Sequence, residues 1–221
     1  MKYRNIILGK FIDRPNRFIA HVDIDGCVKT VHVKNTGRCK ELLLPEARVV
    51  LEKSDNPNRK TAYDLIAVYK EKLGWVNIDS QAPNKVAGEW LETRGFDYVK
   101  PECKYGDSRI DFYMEKGNDK YLMEVKGCTL EIDGQGYFPD APTTRGVRHI
   151  YELINAVKEG YKAVLLFVIQ MEKVESVLPY AMTDKAFEKA YNEAKENGVM
   201  IKFLKCKVKE DELAFHEINE V

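Results

Sequence analysis

The sequence predicts an α/β protein in two parts: a small closed β-barrel, then a mixed sheet covered by helices. Three observations predict it. The first 80 residues break into short alternating strands with turn signals between them. Near residue 84 the texture changes to strands interleaved with helical patterns. Within that second part, Ala163-Val164-Leu165-Leu166-Phe167-Val168-Ile169 is a continuous apolar run of the kind that fits a strand buried on both faces.

In the first part, Phe18, Ala20, Val22 and Ile24 alternate with polar residues up to Asp25-Gly26, and Val31 and Val33 resume the alternation. An Asp-Gly pair between alternating runs is a strong hairpin signal. Further strands are expected at 48–53, 61–69 and 75–78, with Asn56-Pro57-Asn58 turning between the first two. That many short strands in so few residues match an OB-like barrel in size. Gln81-Ala82-Pro83-Asn84 reads as the linker, which gives domains 1–82 and 83–221. Asn84 is expected to cap a helix running to about Arg94 and stopped by Gly95. Strands are then expected at 98–105, 109–116 and 120–129. Helical spacing of Ile150, Leu153, Ile154 and Val157 predicts a helix over 145–159, ended by Gly160. A second helix is expected at 185–197 behind the cap Asp184, and a last strand at 200–208.

Hydrophobic residues make up 44% of the 221, enough for a sizeable core, and charged residues 32%. No apolar run approaches the roughly 20 residues of a membrane helix, and the N-terminal stretch lacks the small-residue cleavage site of a signal peptide. The five cysteines are scattered, with no CxxC pair for zinc and no dense disulfide spacing, so a cytoplasmic location is expected. The net charge of zero hides a split: residues 1–80 carry 15 Lys+Arg against 10 Asp+Glu, and the remainder carries 20 against 25. A basic front and an acidic back suit a polyanion-binding module joined to a metal-binding one, though chance gives the same split.

The stretch from Ser108 to Lys126 carries the chemistry. Gly117-Asn118 is a two-residue hairpin turn. With the turn placed there, Asp111 faces Glu124 and Arg109 faces Lys126, while Ile110, Phe112, Met114, Met123 and Val125 line the opposite, apolar face. Like charges directly opposed destabilise a sheet, and a hard dication removes the conflict. Magnesium takes one or two carboxylates plus waters and phosphate oxygens. Lys126, on the same face as Glu124, could orient or help deprotonate an attacking water, or screen the phosphate. An exposed sheet face with a Glu-Lys salt bridge is the competing interpretation. The opposed Asp111, the apolar back face and the helix–strand order favour the metal site.

Asp111…Glu124-Val125-Lys126 resembles the PD-(D/E)xK nuclease core. The whole chain is similar to the sugar fermentation stimulation protein (SfsA) family through Arg14-Pro-Asn-Arg-Phe18, Asn35-Thr-Gly-Arg38, Lys104-Tyr-Gly106, Ser108-Arg-Ile-Asp-Phe112, Glu124-Val-Lys126, Gly136-Tyr-Phe-Pro-Asp-Ala141 and Arg145-Gly146. The resemblance implies an N-terminal OB-like domain, a C-terminal restriction-endonuclease-like domain and nucleic-acid binding. Three departures are visible. Ile110 stands where the motif's proline would be, and Cys39 where a long apolar residue would follow Arg38. Gly88 stands where the family pattern has an acid, leaving Glu89 as the candidate for a further metal contact.

The expected activity is hydrolysis of phosphodiester bonds in DNA or RNA, dependent on Mg2+ or Mn2+. Asp111, Glu124 and the Val125 carbonyl would hold the metal, and Lys126 would position water. The rival from another class is a non-catalytic DNA-binding regulator of sugar metabolism genes. Arg14, Arg17, Asn35 and Arg38 are candidate phosphate or base contacts on the barrel, and a solvated basic surface explains any one of them equally well. Arg145 and Arg148, beside His149, open a helix where a bound anion would offset their charge; plain surface charge is the alternative. Tyr137 and Phe138 either stack bases or pack a loop on the core. No membrane partner is expected, His21, His32 and His216 receive no role, and the oligomeric state stays open.

Overall fold

The computed structural model describes residues 1–221 apart from Thr36, Asp107, Val221 and the side chain of Glu220. Within the Asn35-Thr-Gly-Arg38 segment, Thr36 lies outside the described residues. The first part contains β1 (Ile6–Asn16), β2 (Ile19–Ile24), β3 (Cys27–Val33), β4 (Arg48–Lys53), β5 (Tyr63–Lys70) and β6 (Gly74–Asn77). The strand order is β3-β2-β1-β4-β5-β6, and β3 also pairs with β5, which closes five strands into a barrel. Asp25 and Gly26 have φ of 50° and 81°, the left-handed pair that a tight hairpin turn requires. Inward residues Ala20, Val22, Val31, Val33, Val49, Leu51 and Leu65 are fully buried and fill the barrel.

Strand β1 was not expected, because Ile6-Ile7-Leu8-Gly9-Lys10-Phe11 does not alternate. Of its 11 residues only Phe11 is buried. Pairing on both sides holds it instead, against β2 and β4. Gly9 lets that pairing close: a Cβ there would lie 2.6 Å from Val22 Cγ1 and 2.9 Å from the Asp23 carbonyl oxygen.

The second part runs α1 (Ala82–Glu92), β7 (Tyr98–Tyr105), β8 (Ser108–Lys116), β9 (Asp119–Cys128), β10 (Leu130–Ile132), β11 (Gln135–Phe138), α2 (Thr144–Lys158), β12 (Lys162–Ile169), β13 (Val177–Pro179), α3 (Lys185–Glu196), β14 (Met200–Lys209) and β15 (Glu212–Glu220). The main sheet has the order β15-β14-β12-β9-β8-β7, and β10-β11-β13 form a small second sheet. Strand β12 pairs in parallel with β9 and β14, while β7, β8 and β15 are antiparallel to their neighbours. Leu165, Phe167 and Ile169 pack with α2 and α3, while Val164, Leu166 and Val168 pack with α1. Burial on both faces explains the unbroken apolar run of β12. The short strands β10, β11 and β13 and the charged edge strand β15 escaped expectation because none carries an alternation long enough to register.

Helix starts follow sequence chemistry in two cases of three. The Asp184 carboxylate accepts from the Phe187 N–H at 3.0 Å, capping α3 as expected. The Thr143 hydroxyl accepts from the Gly146 N–H at 3.0 Å and caps α2. Asn84 does not cap α1: Gln81 occupies that position without a side-chain cap, and Pro83 falls in the first turn. Asn84 therefore lies inside the helix with its amide free for another use.

Barrel and sheet meet through buried polar groups. The Asn77 N–H donates to the Gln170 carbonyl at 2.9 Å. The Gln170 side-chain amide donates to Asn77 Oδ1 at 2.9 Å and to the Asp79 carbonyl at 3.0 Å. Among the described residues, no helix is long and apolar enough to cross a membrane.

Candidate functional site

The β8–β9 hairpin turns at Gly117-Asn118 and pairs Lys116 with Asp119, Tyr113 with Leu122 and Phe112 with Met123, the register expected from the turn. The ladder ends there. One residue further, Asp111 Oδ2 accepts from the Val125 backbone N–H at 2.7 Å, so a side chain takes the place of a ladder bond. The neighbouring ladder is interrupted at the same point. Pro101 pairs with Phe112 and Cys103 with Ile110, with no bridge between Glu102 and Asp111, and Glu102 has a φ of 51°.

This local twist corrects the single apolar face expected for the hairpin. Phe112, Met114, Met123 and Val125 do pack together against α1. Ile110 instead joins the core beneath α2 and α3. A strand that alternated without interruption would have kept Ile110 and Phe112 on one side, so the chain rotates at Asp111.

Six polar side chains from four elements, α1, β8, β9 and α2, meet around this point. From α1, Asn84 Nδ2 donates to Asp111 Oδ1 at 2.7 Å. From β9, Lys126 Nζ donates to Glu124 Oε1 at 2.6 Å. From α2, the buried His149 ring bonds the same Glu124 oxygen through Nδ1. Arg145 Nε donates to His149 Nε2 at 3.3 Å. A guanidinium keeps its proton, so Nε2 is the acceptor and Nδ1 carries the hydrogen that Glu124 receives.

Glu124 is 2% exposed, and among the described residues its Oε2 is buried with no hydrogen-bond partner. Burial pushes the Glu124 carboxyl up, but the His149 hydrogen bond and the Lys126 ammonium outweigh it, so the group sits below its ordinary value and ionised. Burial also raises the Asp111 carboxyl, and the negative charge of Glu124 raises it further, against the opposing hydrogen bonds from Val125 and Asn84. The charge of Glu124 thus reaches Asp111 although the ladder no longer pairs the two residues.

Other candidate residues fall in different places. Glu89 bonds the Met1 ammonium at 2.8 Å and lines the same groove as Asp111. Arg148 is exposed and approaches Glu152 at 3.9 Å. Arg14 departs most from expectation. Its guanidinium donates to the carbonyls of Gly37, Arg38, Arg17 and Asn35 at 2.9, 3.0, 2.7 and 2.6 Å. Its donors organise the basic loop and leave Arg17 and Arg38 exposed on it. Phe138 packs on Phe167 and Phe187, and Tyr137 on Tyr180, so both aromatics pack against other rings. Cys39, Cys128 and Cys206 are buried, and burial pushes each thiol up to about 12, which suits filler and not nucleophiles.

Sequence reasoning missed Asn84 and His149. A signal for His149 existed: it stands four residues before Leu153, on the apolar stripe of α2. A polar ring on a buried stripe needs a partner, and Glu124 is that partner.

Known proteins share this architecture. Residues 12–78 match the model of the SfsA N-terminal OB domain, and residues 81–212 that of the sugar fermentation stimulation protein RE domain. Two sugar fermentation stimulation protein homologs, from Ruminiclostridium cellulolyticum and Clostridium beijerinckii, are each 51% identical, with 100% of this chain and 99% of the relative aligned. A homolog from Desulfitobacterium hafniense is 50% identical, over 96% of this chain and 94% of its own. The solved structure of Pyrococcus furiosus SfsA in complex with Ca2+ superposes with a TM-score of 0.86 at 27% identity, covering 100% of this chain and 96% of that one. The chain therefore belongs to the sugar fermentation stimulation protein (SfsA) family.

Proposed function

We propose that this protein is a magnesium- or manganese-dependent phosphodiesterase acting on nucleic acid. The observation that carries the reading is the buried, unpartnered Oε2 of Glu124 beside the raised carboxyl of Asp111. A buried carboxylate oxygen without a donor is costly, and a hard cation supplies what it lacks. Among the described residues, no three His, Cys, Asp or Glu side chains are grouped to hold a metal ion, so the ion would draw two carboxylates and a backbone carbonyl from the chain and the rest of its ligands from waters and phosphate. The Pyrococcus furiosus relative, described in complex with Ca2+, supports a hard-cation reading.

Asp111, Glu124 and the Val125 carbonyl would hold the ion, which when bound acidifies water and offsets charge on the reacting phosphate. The chain's own residues do the positioning. Asn84 and the Val125 N–H fix the Asp111 carboxylate from two sides. His149 and Lys126 fix Glu124 Oε1 and leave Oε2 without a protein donor, so that Oε2 would be the oxygen to hold the ion. Lys126, 12% exposed at its side chain and bonded to Glu124 Oε1, would orient an attacking water or screen a phosphate oxygen. The exposed Arg17 and Arg38 would guide the polyanion. A DNA-binding regulator without turnover fits the relatives' name, and it would use the same arginines. It leaves the Glu124 arrangement without a purpose.

The test is cleavage of a panel of single- and double-stranded DNA and RNA, with melting temperature followed with and without Mg2+ or Mn2+. Asp111→Asn is expected to abolish cleavage and metal-dependent stabilisation. Lys126→Ala should lose cleavage while keeping more of the metal response. If both variants cut like the parent, the site is assigned to the wrong residues. Tight nucleic-acid binding by the parent without cleavage in either metal makes the protein a regulator.

A further inference from the structure

We propose that the pocket between the barrel and the main sheet receives one unstacked base of the bound strand, and that Asp140 and Asn35 select guanine there. This rests on the nucleic-acid reading above and adds a specificity site to it. The pocket encloses about 480 Å3, within the range of small-molecule sites. Its walls come from both parts of the chain: Arg17, Asn35 and Gly37 from the barrel, and Val125, Gly127 and Asp140 from the second part. Asn84 lines it as well while holding Asp111, so the pocket opens beside the carboxylates.

Two observations on its walls bear on a ligand, while Gly127 serves packing: a Cβ there would come 2.3 Å from Gln170 Oε1 and 2.7 Å from Pro83 Cγ. On the barrel wall, Arg14 bonds the carbonyls of Arg17, Asn35, Gly37 and Arg38. Across from that wall, a Cβ on Gly37 would meet Asp140 Oδ2 at 2.3 Å, Asp140 Oδ1 at 2.8 Å and Asn35 Oδ1 at 2.8 Å. The carboxylate and the amide therefore stand side by side.

Among the described residues, the polar contact of the Asp140 carboxylate is the Cys39 N–H at 3.4 Å, and no cation pairs with it. An ionised carboxylate only accepts hydrogen bonds. It therefore asks for a ligand edge with two adjacent donors. Of the common bases, guanine alone offers that edge, through N1–H and the 2-amino group. Asn35 Oδ1 is taken by the Gly37 N–H at 2.7 Å, so Nδ2 is the amide atom left to donate to guanine O6. The exposed Arg17 at the rim suits the adjoining phosphate. Extrusion of a base costs least from a single strand, so a single-stranded substrate is the one this pocket fits.

The experiment titrates the full-length protein, in chelator, with heptathymidylate and with the same oligonucleotide carrying G, A or C at its centre. The G-containing strand is expected to bind roughly 10- to 100-fold more tightly, the discrimination of a bidentate contact. Asp140→Asn and Gly37→Ala should each erase that preference, so that the G-containing strand binds no more tightly than the other three. Equal binding of all four strands by the parent overturns the proposal, as does no binding at all. A preference retained in a folded Asp140→Asn variant also overturns it. Because no cleavage is read, the outcomes separate: guanine preference without cleavage sinks only the nuclease reading, and cleavage without base preference sinks only the pocket.

Discussion

Replacing His149 separates a metal-holding Glu124 from a merely buried one. His149→Ala removes the Nδ1–H that reaches Glu124 Oε1 and opens a cavity where the ring was 2% exposed. A hydrogen bond to a charged group contributes about 1.5–3 kcal/mol. Lys126 remains on the same oxygen at 2.6 Å, so the carboxylate is loosened and not stripped. For a chain of this size the metal-free melting temperature should fall by about 4–10 °C. The consequence for the ion is more telling. Groups that orient a metal ligand typically change affinity by about 10- to 100-fold, so His149→Ala should bind Mn2+ that much more weakly. In His149→Asn the amide nitrogen stands two bonds from Cβ, where Nδ1 stood, and can still donate to Glu124. It should recover most of the affinity while remaining less stable than the parent, having lost the ring's packing. Calorimetric titration with Mn2+, and melting curves with and without it, read the two effects apart. Equal metal affinity in the Ala, Asn and parent proteins would falsify the positioning role, and would leave His149 as a core residue.

Two further outcomes test the barrel. Burial raises the Asp64 carboxyl, but the Arg59 fork at 2.8 and 2.6 Å, with His32 and Lys34, holds it down at about 2 against an ordinary 3.8. That contribution is present above pH 3.8 and is lost as pH falls through 2. Asp64→Asn should therefore lower the melting temperature at neutral pH by a few degrees and flatten its fall between about pH 4 and pH 2; parallel acid limbs in the two proteins would refute it. The exposed Arg17 and Arg38 are read as phosphate contacts, so the double Ala variant of the full chain should bind single-stranded DNA with a salt slope shallower by about 1.4. An unchanged slope would make both arginines plain surface charge.

What the sequence made legible was what local chemistry decides. Asp25-Gly26 and Gly117-Asn118 each set a hairpin register, because a two-residue loop leaves little choice of partner. The register of the second brought Asp111 and Glu124 together on paper. What escaped were choices made between elements. Asn84 has the chemistry of a cap, yet Pro83 starts α1 earlier and frees the amide for Asp111. Ile110 has the spacing of its neighbours, yet the interrupted pairing at Glu102 turns it to the other core. Arg14 looks like a phosphate contact in any basic loop, and only the fold shows its two terminal nitrogens turned to four carbonyls. His149 was hidden by company: beside Arg145 and Arg148 it read as part of a cationic helix start, while its place on the apolar stripe carried the stronger message.

The interface between the two parts bears on how a strand would reach the carboxylates. Gln170 bonds Asn77 and Asp79, Asn77 Nδ2 donates to the Tyr3 hydroxyl at 2.8 Å, and the Tyr3 N–H donates to the Asp211 carbonyl at 2.8 Å. Asn77, Asp79 and Gln170 are each no more than 2% exposed. Swinging the barrel away would expose these groups and strand several hydrogen bonds in one step, a cost of several kcal/mol. A polar interface can act as a hinge only where water replaces what it loses, and these groups are dry. The barrel and the main sheet therefore keep a fixed spacing, and the pocket between them exists before any ligand arrives. On the proposed reading, a nucleic-acid substrate would have to fit that spacing by bending its own backbone. A single strand does this at far lower cost than a duplex, whose persistence length is about 150 base pairs. The rigid interface thus argues, independently of Asp140, for a single-stranded or locally opened substrate.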